Sequence, residues 1–315
     1  MSTEALRREN YIPGFDWVRL LGSILVVVSH LGLLEPLRSL AGDTLYQLLS
    51  AVVPVFFLMS GYLIAGRLDD RAYVVRYVKK YGGFYLAVSL LLIAAHAFGT
   101  LYLYHRIDLP ALLAALAQLP FKCVYNSTFW FIPALLYGVA VNALLNRKPR
   151  ALGAVCAVCL IAIALRALTG KSHPLYPVFS VARSVAKGIV YVRLGVLRRE
   201  RTLPLPLIAA AAVLLGAFEL TVAYLDLAVI ALSLLLFEGV LHLGGRFLRP
   251  WHRQISVFSV LNFFLQIFER KLLAFLFHLR PIAILPLILA GNALLALLLC
   301  RGIQIKQQRK QNNGL

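Results

Sequence analysis

Two residues in the first apolar stretch, FDWVRLLGSILVVVSHLGLL, have the types and spacing to act together: Arg19 and His30. An imidazole that is neutral near pH 7 can take a proton from a hydroxyl, which makes His30 a candidate general base. Eleven residues of regular α-helix turn the two side chains to within about 20° of one face and set them roughly 16 Å apart along the axis. Asp16 and Ser23 fall on the same side, so a polar stripe runs along a helix otherwise compatible with lipid. Ionisable groups inside a bilayer cost about 2.5–3.5 kcal/mol each even on the lenient insertion scale, and their default explanation is a functional cavity. The plainer alternative is an Asp16–Arg19 pair reaching for the interface, with His30 bonded to a neighbouring helix.

The elements that must hold these residues are membrane helices. A soluble chain carries about 45–50% apolar and about 25% charged residues, whereas this one has 61% and 14%. Such an excess of apolar surface needs lipid. Crossing about 30 Å of hydrocarbon takes roughly 20 mostly apolar residues. Ten stretches qualify, at approximately 15–34, 45–66, 82–104, 128–145, 151–168, 178–197, 203–223, 226–245, 254–277 and 282–300. They lack the alternation of barrel strands, so the expected fold is all-α, a polytopic integral membrane protein of about ten transmembrane helices. Residues 1–315 form a single membrane-embedded domain, and the first stretch is a retained helix, since it carries an internal Arg and His and no small-residue cleavage site follows.

Cations sort by gap. Arg7, Arg8, Arg67, Arg71, Arg76, Lys79, Lys80, Arg147, Lys148, Arg150, Arg198, Arg199, Arg201, Arg246, Arg249, Arg253, Arg301, Lys306, Arg309 and Lys310 fall in alternate gaps, twenty in all. Arg38, Arg106, Lys122, Lys171 and Arg280, five residues, fall in the others. Short cytoplasmic loops concentrate Lys and Arg. The split therefore places the N-terminus (1–14) and the basic tail (302–315) in the cytoplasm. It also accounts for the net charge of +19 by topology and anionic lipid, with no nucleic-acid partner. Residues 109–121, LPALLAALAQLPF, are too short to span and either lie along the outer interface or re-enter. Cys156 and Cys159 sit in an apolar run where neutral packing outweighs metal binding, so no metal is expected.

Other embedded polar residues are Arg183, Lys187 and Arg193, then Glu219, Glu238, His242, and the Asn262, Gln266 and Glu269 group. Arg183 and Lys187 share a face, as do Glu238 and His242, and pairing between helices is the expected role for most of the set. Trp130, Tyr102 and Tyr104 read as an interfacial aromatic belt.

The Arg19 to His30 spacing, an Arg followed by ten residues and a His, resembles the first helix of the acyltransferase-3 family of integral membrane acyltransferases. VPVFFLMSGYLIAGR, from Val53 to Arg67, resembles the family's Pro-x-Phe-Phe-x-x-Ser-Gly-[Phe/Tyr] segment. Arg76 and Lys79 stand where the family has Arg-x-x-Arg, with Lys at the second position. FWFIPALL, from Phe129 to Leu136, is similar to the fourth-helix Trp-Phe-x-x-x-Leu pattern. Near the ninth helix only Ile255 and Ser256 follow the family's Ile-Ser-Tyr-x-x-Tyr-x-x-His-Pro.

The resemblance implies a membrane O-acyltransferase at the cell (inner) membrane. It would move an acetyl or other short acyl group from cytoplasmic acyl-CoA, acetyl-CoA above all, to a hydroxyl of a surface glycan or its lipid-linked precursor. It makes His30 and Arg19 catalytic and gives Arg76 and Lys79 the donor phosphates, which suit Arg forks and Lys point charges. With the N-terminus inside, the donor arm threads along the Arg19–His30 stripe. Direct transfer and an acyl-His intermediate both remain open. A secondary transporter or exporter, or a noncatalytic membrane component of polysaccharide assembly, would show a similar polar cavity.

Overall fold

Backbone groups in lipid must find partners within their own segment, and among the described residues there are helices and turns but no strand. The computed structural model describes residues 11–36, 51–123, 127–169, 172–221, 225–243, 246–277 and 280–312. Arg7, Arg8, Arg38 and Lys171 of the charge count lie outside them.

Helix α1 is Pro13–Trp17, a π turn Val18–Gly22, and Ser23–His30. There follow α2 (Val52–Arg67), α3 (Arg71–Tyr104), α4 (Leu109–Gln118) and α5 (Phe131–Leu145). Then come α6 (Pro149–Leu168), α7 (Tyr176–Glu200), α8 (Leu205–Thr221), α9 (Ala228–His242), α10 (His252–Phe277) and α11 (Pro281–Asn312). Each of the ten apolar stretches, as far as it is described, falls on one of these helices, and α4 is the additional short segment. Among the described residues, three helices are long and apolar enough to cross a membrane: α3 over Arg71–Tyr102, α6, and α11 over Pro281–Ile303. Helices α2, α5, α8 and α9 are apolar but shorter. Large apolar side chains turn outward, among them Leu91, Phe98, Val213, Leu214 and Ile282, each at least 68% exposed. Burial in lipid is the physical account of that surface, and the chain is a membrane protein.

By backbone contacts the chain divides into two compact units, Met1–Tyr46 with Leu236–Leu315, and Gln47–Leu235. In the second unit α7 is the central helix, packed against α5, α2 and α6. The approach is close because small residues meet backbone: Gly188 faces the Ala134 carbonyl, Gly195 that of Leu58, and Gly61 that of Val192. A Cβ at any of the three would overlap its carbonyl. Asn142 clips α5 to α7, its amide donating to the Gly138 carbonyl at 2.8 Å and the Ile189 carbonyl at 3.1 Å. Cys159 packs with Ile163, Ala186, Ile189 and Val190, the apolar role expected of it.

Helix α3 ends where His105 takes a left-handed φ of 51°. Asp108 then caps α4 by accepting from the Ala111 N–H at 3.0 Å, and the chain folds back along α3. Ala115 and Leu119 pack on Ile93, and the Tyr85 hydroxyl donates to the Leu119 carbonyl at 2.8 Å. Residues 109–121 thus hold a short helix, Leu109–Gln118, laid against α3. Arg147 reaches Asp69 at 3.1 Å and Arg199 reaches the Tyr62 hydroxyl at 3.1 Å. Three of the basic gaps therefore gather at one end of this unit.

In the first unit α1 packs against α10 and α11, with Val27, Leu31, Ile284 and Ile288 as its apolar centre. Phe15 stacks on Phe237 with ring centres 6.0 Å apart. Gly32, at a φ of 75°, ends α1 in the left-handed conformation, its N–H donating to the Ser29 carbonyl at 3.0 Å.

Candidate functional site

Asp16 lies in the first turn of α1 and is fully buried. A carboxylate removed from water must be surrounded by donors, and it has three. The Tyr11 hydroxyl donates at 2.8 Å, Arg19 Nη1 at 2.9 Å, and His252 Nδ1, from the start of α10, lies at 2.7 Å and 3.0 Å from its two oxygens. Burial, followed by the bond to Asp16, pushes the Tyr11 phenol up to about 12, so it stays a donor at neutral pH. Arg249 stacks over the Tyr11 ring at 5.5 Å, and Tyr11 meets His252 edge-on. The expected Asp16–Arg19 pair is thus present, but as part of a four-residue cluster. Tyr11 and His252 belong to it without any sequence signal, because residues 11 and 252 are neighbours only after folding.

Arg19 stands in the π turn Val18–Gly22. Such turns add a residue to the helical repeat and often occur where a side chain is re-aimed at a functional site. The count of 100° per residue therefore does not carry from Arg19 to His30, and no hydrogen bond joins the two side chains. Each is held separately, Arg19 by Asp16 and His30 by Arg270.

His30 is the last residue of α1, whose terminal carbonyls have no partner inside the helix. Arg270 of α10 supplies one, Nη1 donating to the His30 carbonyl at 2.6 Å. A cation at this end also opposes the negative pole of the helix. The backbone beneath His30 is gripped while its imidazole, among the described residues, makes no hydrogen bond.

Between these points a polar chain crosses the unit. Asn262 donates to the Ser23 hydroxyl at 3.1 Å, and Asn292 donates to Asn262 Oδ1 at 3.0 Å and to Glu269 Oε2 at 3.2 Å. Ser23, Asn262 and Asn292 are fully buried. Gln266, also buried, has neither amide atom paired among the described residues. Pairing between helices, expected for Asn262 and Glu269, is what they do, and Asn292 is the partner the sequence did not reveal. His242 bonds the carbonyl of Glu238 at 2.8 Å rather than its carboxylate.

Arg76 and Lys79 lie in the Gln47–Leu235 unit, three residues apart and exposed near the start of α3. Asp70 caps that start, accepting from the Tyr73 N–H at 2.9 Å. Cations beside the positive pole of a helix repel it, and a bound anion offsets both. Arg183 and Lys187, expected to find partners in the bundle, share Asp226: Arg183 Nη2 lies at 2.5 Å and Lys187 Nζ at 2.7 Å. They line a cavity of about 640 Å³ together with Val53, Pro54, Trp130 and Arg166. Trp130, expected in an interfacial belt, packs on Phe57 at 5.9 Å.

Apolar helices that need lipid define a membrane protein. The chain matches the acyltransferase-3 family, described as an acyltransferase domain, over residues 12–301, and it belongs to that family. It is a membrane acyltransferase. No curated protein and no solved structure matches it.

Proposed function

We propose that the protein transfers an acetyl or similar short acyl group from cytoplasmic acyl-CoA to a hydroxyl of a surface glycan or its lipid-linked precursor. In this reading the chain crosses the cell membrane ten times with both termini in the cytoplasm. Gathering of the basic gaps by the Arg147–Asp69 and Arg199–Tyr62 contacts supports that orientation. Arg76 and Lys79 take the donor phosphates, with the start of α3 adding its dipole. Arg19, held by Asp16 through Nη1, makes no other hydrogen bond among the described residues, and its remaining donors suit the donor arm.

The observation that carries the reading is His30, an imidazole without a hydrogen-bond partner among the described residues, on backbone fixed by Arg270. Such a group can accept the proton of an acceptor hydroxyl. In direct transfer the hydroxyl oxygen bonds the thioester carbonyl carbon as His30 takes its proton. The carbon–sulfur bond then breaks, and the departing thiolate recovers the proton from the imidazole. The test is to give labelled acyl-CoA to membranes from expressing cells and weigh the surface glycans. Label in glycan from wild type and none from His30→Gln is the expected result.

The cavity beside Arg183 favours a second reading, a secondary transporter or exporter of an anionic solute. Solute uptake into vesicles without acyl transfer would select it.

A further inference from the structure

The cavity of about 640 Å³ in the Gln47–Leu235 unit falls in the size range of small-molecule sites, roughly 300–1,000 Å³. Its position follows from the helices that build it. Val53 and Pro54 lie in the first turn of α2, Arg166 in the last turn of α6, and Tyr176 opens α7. These are the ends opposite those that carry Arg67, Pro149 and Arg199. With the basic gaps cytoplasmic, the cavity lies toward the outer side, where the acceptor arrives.

Its charge is one-sided. Lys122, Arg166, Arg183 and Lys187 line it. Asp226, fully buried, answers Arg183 and Lys187 together. Glu219 holds the turn that presents Asp226, accepting from the Leu227 N–H at 2.6 Å and the Ala228 N–H at 2.9 Å. Even with both carboxylates counted against four cations, two positive charges are left over. Those two have no acidic partner among the described residues. Arg166 donates to the Ser180 hydroxyl at 2.8 Å and lies 3.9 Å over the Tyr176 ring, and Lys122 is exposed at the lining. A half-buried cation such as Arg166, without counter-charge among the described residues, is costly in a membrane domain, and a bound anion offsets that cost. Trp130 and Tyr176, both half-buried, add aromatic surface to the lining. An aromatic face beside a cation suits a ring with an apolar C–H face and an acidic substituent.

We infer that this cavity binds the acceptor through an acidic sugar, one bearing a carboxylate or a phosphate, with Arg166 and Lys122 meeting its anionic oxygens. The inference rests on the acyltransferase reading and names the acceptor class for it. Lys122 and Arg166 are binding residues here and take no part in the chemistry.

The test is equilibrium binding to the full-length protein in nanodiscs of neutral phosphatidylcholine. The probes are trigalacturonate, glucose 1-phosphate and the neutral maltotriose. Both acidic probes should bind, with maltotriose at least about tenfold weaker, as expected when a charged hydrogen bond is missing. Lys122→Gln, at an exposed position that does not endanger folding, should weaken the acidic probes about tenfold. Arg166→Gln should do the same, and Arg166→Lys should restore part of the affinity.

Equal binding of maltotriose, no binding of any probe at millimolar concentration, or acidic binding unchanged in both Gln variants would overturn the inference. A lipid headgroup offers the same anionic chemistry, so the measurement is repeated with phosphatidylglycerol in the discs. If that lipid abolishes acidic-sugar binding and is enriched around wild type but not around Lys122→Gln, the cavity is a headgroup site and the inference fails. Binding is read without acyl transfer. Loss of transfer with acidic-sugar binding intact would therefore strike the functional reading alone, and the converse would strike this inference alone.

Discussion

Arg270 donates a hydrogen bond of 2.6 Å to the backbone carbonyl of His30, so the cation steadies the residue beneath the imidazole without engaging the ring. A general base needs a fixed position and a free nitrogen, and this contact supplies the first while leaving the second.

Replacement of His30 by Ala or Gln is expected to abolish acyl transfer while the protein accumulates in the membrane at near normal levels. Loss of a general base typically costs about 10²–10⁴ in rate. Gln keeps a hydrogen-bonding group of similar reach but takes up no proton near pH 7. Near wild-type glycan acylation in His30→Gln cells would falsify the catalytic role and leave His30 a packing residue.

Arg270 acts through His30 as a positioning residue. A hydrogen bond from a charged group contributes about 1.5–3 kcal/mol, and the exposure of Arg270 puts it at the low end. Arg270→Gln should therefore lower kcat about tenfold with KM for acyl-CoA little changed, and Arg270→Lys should recover part of the loss. A fall in thermal stability with kcat intact would make the contact purely structural.

The Arg76→Ala, Lys79→Ala double variant should raise KM for acyl-CoA and weaken its salt dependence, leaving kcat and membrane insertion unchanged, because both residues are exposed and build no core. An unchanged dependence of rate on acyl-CoA concentration would assign both cations to topology.

Asp16→Asn leaves Arg19 beside a buried neutral group and weakens the bonds from Tyr11 and His252. Removing one partner of a buried ion pair costs about 3–5 kcal/mol. Partial exposure of Arg19, 21%, moves the expectation to the lower part of that range. The melting temperature of the detergent-solubilised protein should fall by several degrees. No change would mean that Asp16 does not hold the start of α1.

A reporter that works only in the cytoplasm, fused after Leu315, should be active, as the twenty-to-five division of cations requires. Activity only of an extracytoplasmic reporter would invert the topology and move the acidic-sugar cavity to the donor side.

Local composition was enough to read the helices. Twenty apolar residues cannot remain in water, and in lipid they cannot be anything but helix unless a barrel closes. That reasoning located the stretches that became α1 to α3 and α5 to α11. The spacing of Arg19 and His30 and the segment from Val53 to Arg67 likewise pointed to the family, since both lie within single helices. Sequence periodicity missed the π turn at Val18–Gly22, because a local change of helical repeat depends on what the side chains meet.

The partners were decided only by tertiary structure. Asp16 and His252 are separated by 236 residues, Ser23 and Asn262 by 239, and His30 and Arg270 by 240. A lone buried polar residue announces that it needs a partner, because the unpaired state is too costly, but the cost is the same whichever helix supplies it. Asp226 shows the same limit. It sits in the turn before α9, outside any polar stripe, and only packing of that turn beside α7 makes it the counter-ion of Arg183 and Lys187. The sequence determined which residues would be expensive to bury. Helix packing decided which of them meet, because distance in space, unlike hydropathy, is not a local property of the chain.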